Sequence, residues 1–156
     1  MKTRILLILS LLLSTWANAQ TSISETESIK KVVNTVFEGM KKCDSTMVRG
    51  VFAPTAVLQT IRPDKDGLSA TLGGDQMESW LKAIARPKTA DQLWNEVMDF
   101  DHILIDGNLA QVWGRYTFNV GNKFSHCGTD NITLVKYAEG WKIVYLIDTS
   151  RKQGCQ

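Results

Sequence analysis

The chain has no Cys-x-x-Cys pair, no internal repeat, no low-complexity stretch and no linker, and its three cysteines, Cys43, Cys127 and Cys155, stand far apart. That spacing argues against a redox dithiol or a structural zinc site. It also lacks a charge excess of its own: the formal +2 of 18 basic against 16 acidic side chains is carried by Lys2 and Arg4. The rest of the chain is balanced, which gives no reason to expect nucleic acid or an anionic membrane as partner.

What is present begins with an N-terminal address. Lys2 and Arg4 precede the apolar run from Ile5 to Leu13, followed by Ala17-Asn18-Ala19. A charged start, a short apolar stretch and a small-x-small site are the parts of a secretory signal peptide. The run is too short to cross a hydrocarbon core, which needs roughly 20 residues. The expectation is a signal peptide over residues 1–19 and one domain over 20–156. The mature protein would be periplasmic or secreted, with no membrane association after cleavage. In such a compartment three cysteines allow one internal disulfide. Cys127 with Cys155 closes the shortest loop, and Gly154 lets the tail turn back; three free thiols are the alternative.

Along the domain, Ser24 with Glu27 has the form of a capping box before an apolar stripe of Ile29, Val32, Val33, Val36, Phe37 and Met40. Asp44 can cap a second helix carrying Met47, Val48, Val51 and Phe52 and stopping before Pro54. Val57 to Ile61 reads as a strand, Arg62 to Gly67 as a turn and Leu68 to Leu72 as a return strand. Asp64-Lys65-Asp66-Gly67 lacks the later ligands of a calcium loop. Asp75 to Glu78 is a second capping box, before a helix with Met77, Trp80, Leu81, Ile84 and Ala85 on one face. Strands are expected at about 94–105, 109–120, 124–137 and 141–149. Helices first and a meander of long strands last imply an α+β fold, with helices packed on one face of a curved antiparallel sheet.

The turns set a register. Gly121-Asn122 as a two-residue turn pairs Val120 with Lys123, and hence Trp113 with Asp130, Arg115 with Gly128 and Thr117 with His126. Ala138-Glu139-Gly140 as a three-residue loop pairs Tyr137 with Trp141, and hence Asp130 with Asp148. Trp113, Asp130 and Asp148 then form one row on one face, with Arg115, His126, Ile132, Leu134, Val144 and Leu146 around it. The opposite face would carry Tyr116, Phe118, Thr133, Val135, Tyr137, Ile143, Tyr145 and Ile147. That is apolar enough to meet a partner, most simply a second copy, giving a homodimer.

Two facing carboxylates cannot both ionise cheaply when buried, so Asp130 and Asp148 are candidate catalytic acid and base. The structural alternative is a cluster neutralised by Arg115. His126 lies on the strand of Asp130 but four residues away, roughly 13 Å, which rules out a direct dyad. It remains a rim or ligand contact, with a solvent-facing strand-end histidine as the plainer reading, and a core or edge position is the default for His102. Cys127 alternates outward, so a disulfide or packing role suits it better than catalysis. The candidate ligand contacts are Trp113, Arg115, His126, Asp130 and Asp148; no metal set and no cofactor is read.

Cys43-Asp44-Ser45 leading to Val51-Phe52-Ala53-Pro54, and then Glu139-Gly140-Trp141-Lys142-Ile143-Val144, resemble the nuclear-transport-factor-2-like superfamily. Phe124 to Gly128 and Tyr145 to Arg151 look like its exported bacterial branch, described as lumazine-binding or polyketide-cyclase-like. The resemblance implies a cone-shaped α+β barrel with a pocket, frequently dimeric through the outer sheet face. Fold does not fix chemistry. Three functions stay open: a small-molecule-binding domain, a cofactor-free isomerase, cyclase or dehydratase using the paired aspartates, and a protein-interaction module.

Overall fold

Ile29, Val33, Val36 and Met40 recur every three or four residues and are all buried, which makes residues 25–42 an amphipathic helix (α1) with its stripe inward. The computed structural model describes residues 25–65 and 69–155. The expected signal peptide and the Ser24 cap lie outside them. The chain leaves α1 through Cys43 in the left-handed region, φ 58°, and the Asp44 N–H returns to Gly39 O at 2.8 Å. Asp44 then caps α2 (Ser45–Gly50), its carboxylate accepting from Met47 N at 2.8 Å.

The second helix is shorter than expected. Phe52 opens β1 (Phe52–Pro63) rather than closing α2, and Pro54 lies inside the strand. It is tolerated because the pairing of β1 slips between Phe52 and Val57, so no ladder bond is needed there. β2 (Ala70–Leu72) is the return strand, and Leu68 lies outside the described residues. α3 (Met77–Ile84) buries Met77, Leu81 and Ile84. The N-cap of α3 is Gln76, not Asp75 as the capping box implied, but Asp75 accepts from both Met77 N and Leu58 N and so staples the start of the helix to β1.

Four long strands follow: β3 (Trp94–Asp106), β4 (Leu109–Val120), β5 (Lys123–Tyr137) and β6 (Gly140–Thr149). The sheet order is β2-β1-β6-β5-β4-β3, antiparallel except for β1 against β6. Register slips in all four long pairings bend it. The helices fill the concave side, where α1 residues and the inward strand residues Ala110, Val112, Ile132, Leu134 and Ile143 share one core. Glu25, on α1, accepts hydrogen bonds from Lys136 and from Trp141 Nε1, closing one end of the cone.

Two of those slips decide which side chains meet. Ser125 is an extra residue in β5, so Phe118 pairs with His126 and Gly114, not Trp113, pairs with Asp130. The β5–β6 turn is one residue shorter than expected, Tyr137 pairing with Gly140, and Val144 is the extra residue that restores the count. Asp130 therefore does pair with Asp148. Tyr116, Phe118 and Ile143, expected outside, are buried inside. Tyr137, with Thr133, Val135, Tyr145 and Ile147, faces outward as expected, and Val97, Leu104, Leu109 and Trp113 are exposed on that side as well. Past β6 the chain continues the β5 ladder through reciprocal Cys127–Arg151 backbone bonds of 2.9 Å, and Cys155 then joins Cys127 in a disulfide; Cys43 is free.

Candidate functional site

Helices and sheet leave a pocket of about 280 Å³ between α1, α3 and the strand ends. Its walls are apolar and aromatic: Phe37 and Met40 from α1, Trp80 from α3, Trp94 from β3, Phe118 from β4 and Leu146 from β6. Strand alternation brings Glu96, Tyr116, Asp130 and Asp148 into the same space, with His126 beside them.

The carboxyls are packed together. Asp130 is 3% exposed and hydrogen-bonded to Glu96, with Asp148 directly across the β5–β6 pair. Tyr116 Oη lies 2.9 Å from both Asp148 Oδ2 and Thr149 O and donates between them. Tyr116 can reach β6 because Gly128 faces it: a Cβ on Gly128 would collide with Thr149 O and stand 2.6 Å from the Tyr116 ring.

Burial first, and the Asp148 charge second, raise the Asp130 carboxyl to about 8. Glu96 is pushed well above the carboxylate range by burial, then by the charges of Asp130 and Asp148, and by its hydrogen bond to Asp130. Glu96 and Asp130 therefore both hold protons at neutral pH, with the Glu96 hydroxyl donating to Asp130. Burial, then Asp148, raises Tyr116, which stays a phenol. Burial lowers His126, whose neutral ring packs 4.7 Å from Phe118 and edge-on to Tyr116. Its Nδ1 is 3.1 Å from Ser125 Oγ.

Of the candidates read from sequence, Asp130, Asp148 and His126 line the pocket, and Trp113 and Arg115 do not. The Ser125 bulge turns both to the outer face. Trp113 is 47% exposed there, and Arg115 pairs bidentately with Asp101, Nε to Oδ2 at 3.0 Å and Nη2 to Oδ1 at 2.9 Å. Arg115 therefore does not neutralise the aspartates. The residues that take those places, Glu96 and Tyr116, were missed. Glu96 had a signal, because Trp94, Glu96 and Met98 share one stride of β3 and only Glu96 is polar. Among the described residues no group of three or more His, Cys, Asp and Glu has the geometry of a metal site.

Residues 24–146 match the family described as "Putative lumazine-binding". The chain belongs to that family. Solved structures place this lumazine-binding family member in the nuclear-transport-factor-2-like, cystatin-like fold. An NTF2-like protein from Shewanella baltica superposes with a TM-score of 0.60 at 22% identity, over 84% of this chain and 97% of that one. A cystatin-like-fold protein from Novosphingobium aromaticivorans gives 0.67 at 12% identity, over 91% and 92%. One from Streptomyces avermitilis, titled a "putative dehydratase" of the NTF2-like family, gives 0.62 at 13% identity, over 83% and 98%. A search of curated proteins returns no match.

Proposed function

We propose that this protein is an exported small-molecule-binding domain that holds a flat, largely apolar ligand in the pocket, its polar edge against Glu96, Asp130, Asp148 and Tyr116. The observation that carries the reading is an aromatic-walled space of about 280 Å³ with its polar groups gathered at one place. The family's description supports a small ligand. Lys2, Arg4, the Ile5 to Leu13 run and Ala17-Asn18-Ala19 support export, as does the Cys127–Cys155 disulfide.

Trp80 and Trp94 line the pocket and report on it. Titration with lumazine, chosen from the family's description, should quench their fluorescence saturably. Thr60→Phe, which fills the pocket from β1, should abolish saturation while leaving the melting temperature near wild type. Quenching that is linear in lumazine, or equal in both proteins, would remove the binding function.

One observation favours a second reading, proton-transfer catalysis without a cofactor: Glu96 keeps a proton beside the Asp130 acceptor. Once Asp130 has lost its proton, around pH 8, its carboxylate can take a proton from carbon while the Glu96 carboxylic acid donates to the oxygen that becomes anionic. Proton–deuterium exchange at the α-carbon of 2-tetralone, followed by NMR in D₂O, should then run faster than in buffer and fall at least ~100-fold in Asp130→Asn. Exchange at the buffer rate leaves binding as the function.

A further inference from the structure

The pocket holds three carboxyl groups, and neither lysine nor arginine lines it. Two ammonium groups beside lining residues, those of Lys88 and Lys152, are engaged or outside. Lys88 stacks over Trp94 at 4.5 Å, but its hydrogens go to the carbonyls of Ala83, Ile84 and Arg86. Lys152 is close enough to oppose a charge on His126 but does not line the space. His126, the one basic lining group, is neutral. Five aromatic rings, Phe37, Trp80, Trp94, Tyr116 and Phe118, complete the walls. Their faces are negative, so they and the carboxyls favour the same sign of guest.

An anionic ligand meets like charge here, and a neutral one leaves the Asp148 carboxylate with too few donors: Tyr116 engages Oδ2, and among the described residues no hydrogen bond reaches Oδ1. A cation with two parallel N–H groups answers both needs. Resting on the small-molecule reading above, we infer that the ligand is a basic amino-heteroaromatic, a flat ring whose ring nitrogen and neighbouring amino group form an amidinium edge on Asp148 and Asp130. The proton comes from the site itself: an O–H bond of the Glu96–Asp130 pair breaks, an N–H bond forms on the ring nitrogen, and the carboxylate left behind is paired with the cation. The net proton count does not change.

Two pteridines of equal shape separate the possibilities: 2,4-diaminopteridine, which carries the amidine edge, and lumazine, which has carbonyls in place of both amino groups. Titrated into the wild-type protein at pH 7, the diamino compound should bind at least ~10-fold more tightly and show the absorption spectrum of its protonated form while the free compound is neutral. Glu96→Gln and Asp148→Asn, each checked for an unchanged melting transition, should bring the ratio toward one and return the spectrum to the neutral form. If lumazine binds as tightly as the diamino compound, or the bound spectrum is that of the neutral base, the cation inference falls and the pocket remains a binding site. If neither compound saturates, both readings fall.

Discussion

On the outward face of β3 and β4, Asp101 receives two guanidinium hydrogen bonds from Arg115 and its backbone N–H as well, and that pairing holds its carboxyl below the ordinary range. On the inward face of the same sheet, Glu96, Asp130 and Asp148 meet without a cation, and burial holds two of them above it. The residue types are the same. Alternation along a strand is enough to decide whether an acid becomes half of an exposed ion pair or part of a store of protons. The outer pair is screened by water and contributes little to stability. The inner set costs stability and lines a pocket, which is what a functional site looks like.

The hardest way to break the contrast is to deny the inner face its close approach. Gly128→Ala would set a methyl group against Thr149 O and the Tyr116 ring, and neither backbone nor ring can retreat. The variant should lose about 3 kcal/mol or more in urea denaturation. Loss under about 1 kcal/mol would mean that β5 and β6 are not packed as described.

Next in size is the response to pH. A carboxyl raised in the folded protein binds its proton more tightly there than in the unfolded chain. Its contribution is present below the unfolded carboxylate range, near 4, and is lost as pH rises through the folded value, about 8 for Asp130. Stability should therefore decline from pH 5 to pH 9, and Asp130→Asn should flatten most of that decline at the alkaline end. An unchanged slope would place the buried proton elsewhere.

How far the contrast could be read from sequence depends on the bulges. Gly121-Asn122 marked one turn correctly, and the Asp130–Asp148 pair was found even though its derivation used a turn one residue too long, because the extra Val144 in β6 offsets it. The helices, the strand order of the meander and the α+β class followed from capping residues and periodicity, which are local. Trp113 and Arg115 were assigned to the wrong face because Ser125 is inserted with no glycine or proline to announce it, and one residue inverts every side chain beyond. Tyr116 was lost to the same inversion. Glu96 was legible from the Trp94–Glu96–Met98 stride, but its meaning was not. That required knowing which carboxyls stand opposite it across two other strands.

The smallest effect belongs to the outer pair and completes the comparison. Asp101 has its carboxyl lowered, first by the Arg115 side-chain hydrogen bonds and further by its backbone N–H, so the sign reverses. Its contribution is present above the unfolded carboxylate range and lost as pH falls through the folded value. Asp101→Asn should therefore lower the melting temperature by the same amount at every pH above the carboxylate range, leaving the slope of the alkaline limb unchanged, and should have no effect at the acid end. The drop should be smaller than the Asp130→Asn effect and should shrink further in 1 M salt, which screens exposed charges within a few ångströms. A changed alkaline slope in Asp101→Asn, or a salt-sensitive one in Asp130→Asn, would mean that the two faces are not electrically separate.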